Sequence, residues 1–236
     1  MVAVAALSDV HGIRYLSLVK ASLPLLKKAA LTLLAGDLAE KGDPKQCRLV
    51  IDALRVVYKG EIIGIFGNEE YDERKKEIKD TCNDVTWLDD EITFQEIPGY
   101  SITIVGTRGV LDRPTRWQEK NIPGISKVYE ARLNIIEKLL TEARQKSHYN
   151  LLLTHYAPIC GTLEGENPRI WEEMGSRKLT SIIMRTKTWG VFHGHAHNSR
   201  RTTVHLGGTR VYNVAVPAVK GITLINLTKN GIEAYF

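Results

Sequence analysis

Apolar residues in this chain gather in short, dense runs that stop abruptly at polar ones, and most of the architecture can be read from those stops. Val2 to Ser8 ends at Asp9-Val10-His11-Gly12, Leu31 to Ala35 at Gly36-Asp37, and Glu61 to Phe66 at Gly67-Asn68-Glu69-Glu70. Asn150 to Thr154 ends at His155, and Trp189 to Phe192 at His193-Gly194-His195-Ala196-His197. Runs of this length bounded by turn-forming residues predict buried strands. Between them the spacing turns helical. Arg14 to Ala30 predicts a helix broken near Pro24, Pro44 opens a second, Tyr71 to Asp80 reads as a surface helix, and Arg177 to Thr186 is another. Val128 to Lys146 carries the clearest amphipathic pattern, with Ile135, Ile136, Leu139, Leu140 and Ala143 expected inward.

Shorter strands are expected at Val85 to Leu88, Ile92 to Ile97 and Ser101 to Gly106. The tail predicts two hairpins, Arg201 to Leu206 with Thr209 to Val214 around Gly207-Gly208, and Ile222 to Leu227 with Ile232 to Phe236 around Asn230-Gly231. Residues 107–126 and 156–175 lack periodicity and are rich in Gly and Pro, so both are expected as irregular, lid-like loops. The first carries Arg108, Arg113 and Arg116, which are candidates for substrate contact. Nothing marks a boundary, so residues 1–236 are expected to form a single domain.

Composition narrows the class. The chain is 43% hydrophobic and 25% charged, as in an ordinary globular protein, which argues against disorder. A net charge of +5 favours phosphorylated ligands in general. It is too small and too dispersed to argue for nucleic acid, which is not expected as a partner. Cys47, Cys82 and Cys160 form no paired framework and fit a reducing compartment. No run approaches the ~20 apolar residues of a membrane span, and the opening residues do not resemble a signal peptide. A cytoplasmic protein without membrane contact is expected; the oligomeric state is left open.

Five strand ends therefore carry Asp9 with His11, Asp37, Asn68, His155, and His195 with His197. Ligands collect at the carboxyl ends of strands in α/β sheets, so these termini are expected to converge. Each alone would serve a turn or cap equally well. Together they offer carboxylates, an amide oxygen and imidazoles without a thiolate, a set suited to manganese, iron, zinc or similar divalent ions. Seven side chains exceed the needs of one ion. Two ions about 3.5–4 Å apart sharing a carboxylate would account for the excess, a spacing that suits in-line phosphoryl chemistry.

In this order the motifs resemble those of the calcineurin-like metallophosphoesterases: Asp-x-His, Gly-Asp, Gly-Asn-His-Asp/Glu, a lone His and Gly-His-x-His. They stand here as Asp9-Val10-His11, Gly36-Asp37, Gly67-Asn68-Glu69-Glu70, His155 and Gly194-His195-Ala196-His197. The resemblance implies two packed mixed sheets flanked by helices, a four-layer α/β/β/α sandwich. It also implies a ligand division, with Asp9, His11 and His197 on one ion, Asn68, His155 and His195 on the other, and Asp37 bridging. The implied activity is hydrolysis of a small phosphate ester, a phosphodiester more than a phosphomonoester, by in-line attack of a hydroxide shared by the metals.

One position departs from the pattern. Glu69 stands where the family has a histidine thought to protonate the leaving group. At an ordinary pKa of about 4.3 a glutamate would be ionised and would repel phosphate. It could serve as an acid if burial or Glu70 raised its pKa; otherwise it is expected to turn away onto an Arg or Lys. Two other classes compete with the enzyme: a catalytically weak family member acting as a protein-interaction scaffold, and a nuclease. His148 and His205 are expected at the surface, and His193 in packing or behind a ligand.

Overall fold

Alternation within the apolar runs lets each strand serve two cores. The computed structural model describes residues 2–228 and, through the backbone alone, 231–235. In β1 (Val2–Leu7), Ala3, Ala5 and Leu7 face one core while Val4 and Ala6 face another. In β2 (Ala29–Ala35) and β3 (Glu61–Ile65), Leu31, Leu33, Ala35, Ile63 and Ile65 share the second core, and Leu34 and Ile62 the first. Strands covered on both faces read as unbroken apolar runs, which is why they stood out. β1, β2 and β3 are parallel, as is β4 (Thr86–Leu88) beside them.

A second sheet uses β5 (Glu91–Ile97), β6 (Tyr100–Thr107), β7 (Tyr149–Thr154), β10 (Gly190–His193), β11 (Thr203–Leu206) and β12 (Thr209–Asn213) in the order β11-β12-β10-β7-β6-β5. The last two strands, β13 (Thr223–Thr228) and β14 (Gly231–Tyr235), return to the first sheet, whose order is β14-β13-β1-β2-β3-β4. The two C-terminal hairpins thus belong to different sheets. Of the second hairpin, the turn residue Asn230 and the terminal Phe236 lie outside the described residues.

Ile102, Ile104, Leu151, Leu153, Phe192 and Tyr212 meet the β1–β3 side chains between the sheets. Outside the first sheet lie α1 (Leu16–Ser22), α2 (Pro44–Arg55) and α3 (Lys75–Thr81). Outside the second lie α5 (Ile125–Lys146) and α6 (Arg177–Arg185). The result is the expected four layers, helix, sheet, sheet, helix, built from two six-stranded mixed sheets.

Local expectations change in four places. The helix expected over Arg14 to Ala30 does break near Pro24, but it ends there: Leu23–Lys28 tightens into a 3-10 turn and β2 begins at Ala29. In α5, Ile135 is 43% exposed while Ile136, Leu140 and Ala143 are buried, because a step of one residue rotates it off the buried stripe. Residues 107–126 are not all loop, since α4 (Arg116–Asn121) starts with a capping box. There Thr115 Oγ1 accepts from Gln118 N at 3.2 Å and Gln118 Oε1 from Thr115 N at 3.0 Å. Residues 156–175 contain β8 (Ala157–Pro158) and begin β9 (Gly175–Ser176), which pair with each other. The two stretches are also sewn together. Asp112 N donates to Gly175 O at 2.9 Å, and the Asp112 carboxylate accepts from Ser176 Oγ at 2.6 Å and Arg177 N at 2.7 Å. They form one buttress rather than two free lids.

Candidate metal centre

The loops leaving β1, β2, β7 and β10 are laced by backbone hydrogen bonds within each sheet and, at Ser8, between the two. Asp9 N donates to Gly36 O at 3.0 Å, His11 N to Asp37 O at 3.1 Å, Gly194 N to His155 O at 3.2 Å and Ser8 N to Val214 O at 3.1 Å. This lacing holds unusual backbone. Asp9, His11, Asp37 and His195 have φ of 55°, 48°, 52° and 68°, the left-handed region that costs an L-residue about 1–2 kcal/mol. Strain of this kind concentrates where side-chain aim matters more than backbone comfort. At two glycines the approach is closer still. A Cβ on Gly67 would lie 2.0 Å from Asp37 Oδ1, and one on Gly194 2.4 Å from Asp9 Oδ2.

Two groups of candidate ligands result. Asp9, His11 and His197 each offer an atom, all within 4.8 Å of one another, and so do Asp37, His155 and His195. His197 Nε2 lies 2.8 Å from Asp9 Oδ1, and His155 Nε2 lies 3.4 Å from Asp37 Oδ2 and 3.0 Å from Asn68 Oδ1. The imidazoles pair within each group, His11 lying 5.3 Å from His197 and His155 5.1 Å from His195, ring centre to ring centre, so that His195 and His197 fall in different groups. All seven sequence candidates are therefore brought together.

The residues fit divalent metals. His11 Nε2 is buried without a hydrogen-bond partner, an arrangement that is costly for an imidazole unless an ion takes the lone pair. His155 Nδ1 lies 2.9 Å from Ala35 O, which directs Nε2 into the site. The fully buried Asp9 receives Ser8 Oγ and His195 N, and Asp37 Oδ1 accepts from Glu69 N at 2.8 Å. His193, buried one residue before the Gly-His-Ala-His segment, bonds Thr162 Oγ1 and Gly194 O, both at 2.8 Å. It supports the loop rather than facing the site.

Electrostatics point the same way. Burial alone would raise both aspartates, but His197 and His155 hold Asp9 below the usual carboxylate range, and His155 lowers Asp37. Burial would depress His155, yet Asp37 and Asp9 lift it to about 9. His195 is pushed down to about 3 by burial and by His155, which leaves its ring neutral and able to donate a lone pair. The pocket is one in which buried anions demand positive charge and protonated imidazole supplies it.

Glu70, the last residue of the Gly67-Asn68-Glu69-Glu70 motif, has a role that sequence reasoning did not assign. Its 1%-exposed carboxylate accepts from Gly67 N at 2.7 Å, Asp37 N at 2.8 Å and Ala39 N at 3.0 Å, stapling the β2 and β3 loops together. Glu69 turns away, as expected, but onto a backbone group, accepting from Lys41 N at 3.0 Å instead of pairing with a cationic side chain. Arg108 donates to Glu70 O at 2.7 Å and pairs with Asp72 at 3.1 Å, bracing that same loop. Arg113 pairs with Glu172 and Glu173 in the buttress, and Arg116 begins α4. His148 and His205 are exposed.

A family model described as calcineurin-like phosphoesterase matches residues 2–212. Among solved structures, the phosphopantetheinyl hydrolase of Mycobacterium tuberculosis superposes with a TM-score of 0.67 at 16% identity, covering 99% of this chain and 95% of its own. GAP50, the anchor in the inner membrane complex of Plasmodium, gives 0.68 at 12% identity over 98% and 82%. A protein of Thermus thermophilus gives 0.63 at 16% over 99% and 97%. At these identities the likeness is one of fold. No curated protein matches the chain. No helix among the described residues is long and apolar enough to cross a membrane.

Proposed function

Starting from the chain's membership of the calcineurin-like phosphoesterase family, we propose that it is a phosphoric ester hydrolase with a binuclear divalent-metal centre, acting on phosphodiesters in preference to phosphomonoesters. The observation that carries this reading is the pair of three-residue donor groups, one on each side of the site, aimed from both sheets at one place. Asp9, His11 and His197 would hold one ion, Asn68, His155 and His195 the other, and Asp37 would bridge them. Manganese, iron and zinc all suit these donors. Two such ions would lower the pKa of a water between them and draw off charge from the phosphoryl oxygens.

The chain's own residues set the rest. Ala35 O and Ser8 Oγ fix the aim of His155 and Asp9, and Glu70 fixes the loop that carries Asn68 and donates Glu69 N to Asp37. Glu69 is turned away onto Lys41 N, so protonation of the leaving oxygen falls to solvent. Esters with good leaving groups, such as aryl phosphodiesters, are the substrates this arrangement favours. A scaffold reading is disfavoured by the complete donor set, and a nuclease reading by the modest charge.

The test is a panel of alkyl and aryl mono- and diesters after reconstitution with manganese, iron or zinc. Aryl diesters are expected to turn over fastest, with His155→Ala and Asp37→Ala inactive. Full activity in both variants would overturn the site, and equal rates on alkyl and aryl esters would overturn the leaving-group argument.

A further inference from the structure

A cavity of about 460 Å³ adjoins the metal centre on the His197 side, lined by Gly165, His197, Asn198, Arg200, Pro217 and Lys220 among others. That size is within the range of small-molecule sites. Its wall carries two cations whose neighbouring acids are engaged elsewhere. Glu166, 8% exposed, accepts from Asn198 N at 2.7 Å and Asn198 Nδ2 at 3.0 Å. Glu164 pairs with Arg201 at 3.1 Å. Among the described residues no carboxylate pairs with Arg200 or Lys220, and Lys220 Nζ donates only to the neutral Pro217 O.

Both cations are exposed, and the backbone that carries each is tied to the loops of the metal ligands. Arg200 follows His197 by three residues, and its backbone N donates to Glu164 O at 2.7 Å while Glu166 clamps the intervening Asn198. Lys220 ends α7 (Val216–Val219), whose Val216 N donates to Ser8 O at 3.0 Å, beside Asp9. Unneutralised cations anchored through their backbone beside the proposed phosphoryl-binding centre can form an anion site. Arg adds a planar fork suited to phosphate oxygens.

We propose that this cavity is a second anion subsite, in which Arg200 and Lys220 hold an additional phosphoryl group of the substrate, so that preferred substrates carry two linked phosphoryl groups. The inference rests on the phosphoesterase reading, because it needs the first phosphoryl group at the metal centre. Phosphoryl is favoured over carboxylate because two cations match a group with three terminal oxygens and up to two charges.

The experiment measures, on manganese-loaded protein at fixed free metal, the affinities of inorganic phosphate and of methylenediphosphonate, a non-hydrolysable diphosphoryl group, by calorimetry. The proteins are wild type, Arg200→Ala, Lys220→Ala and, as control, Lys138→Ala on α5. Removing either subsite cation is expected to lower the ratio of diphosphonate to phosphate affinity by about fivefold or more, while Lys138→Ala leaves it unchanged. An unchanged ratio in both subsite variants, or an equal fall in the control, would overturn the subsite. Aryl diester hydrolysis by the wild-type protein is read in parallel. Its absence would count against the phosphoesterase reading, whereas hydrolysis with an unchanged ratio would sink the subsite alone.

Discussion

The two halves of the candidate centre are built to different standards of rigidity. Asp37 and His155 show 2% and 0% of their side chains to solvent, and His155 is aimed by a strand carbonyl. In the other half Asp9 is as deeply buried, but its partner His197 is 33% exposed and lines an open cavity. The sealed half has Asp37 and His155 fixed in advance and His195 half-buried, whereas the half-buried His197 of the open half also lines the cavity where a substrate must arrive. A binuclear site can divide its labour in this way, one side for holding and one for exchange.

The largest effect should come from breaking the sealed half. His155→Ala is expected to lower kcat by about 10³-fold or more, and excess metal should not restore it, because the buried partners Asp37 and Ala35 O cannot recruit water in its geometry. His197→Ala should cost less, on the order of 10²-fold, and should recover partly in excess metal as water enters the exposed position. Metal-titrated activity of the two variants distinguishes these outcomes; equal rescue would erase the contrast.

Glu70→Gln tests whether the sealed half depends on its staple. It should weaken metal affinity by about 10–100-fold and unfolding stability by about 1–3 kcal/mol, because one of its amide hydrogens would face backbone N–H donors now served by the carboxylate. The smallest effect should lie far from both halves. Asp84 is held down to about 2 by its hydrogen bond to Arg48, against partial burial, with help from Arg55. A depressed carboxylate stabilises the fold above its unfolded pKa near 4, and that contribution fades as pH falls toward 2. Asp84→Asn should therefore remove stability at neutral pH but little below pH 2, by under about 1 kcal/mol given its exposure, and leave metal binding untouched.

Much of this arrangement was legible because buried strands declare themselves. Each run covered on both faces ended at a polar residue, and the site is the sum of those ends. What stayed hidden depends on contacts without a local pattern. Glu70 stands in the motif, but its stapling role is hidden until three backbone amides from two separate loops are placed around it. β8 and β9 are two residues each, too short for any periodicity. The left-handed backbone at Asp9, His11, Asp37 and His195 had only the tolerance of Asp and His for that region as a signal. By contrast, the Thr115-x-x-Gln118 box was available, and it would have placed α4 inside the supposed loop.

The claim beneath all of these contrasts is that two ions are held, one in each half. Equilibrium dialysis against manganese followed by elemental analysis tests it directly. Two ions are expected per wild-type chain and one per chain of His11→Ala, whose imidazole is otherwise an unpartnered buried group. A wild-type stoichiometry of one or none would contradict it.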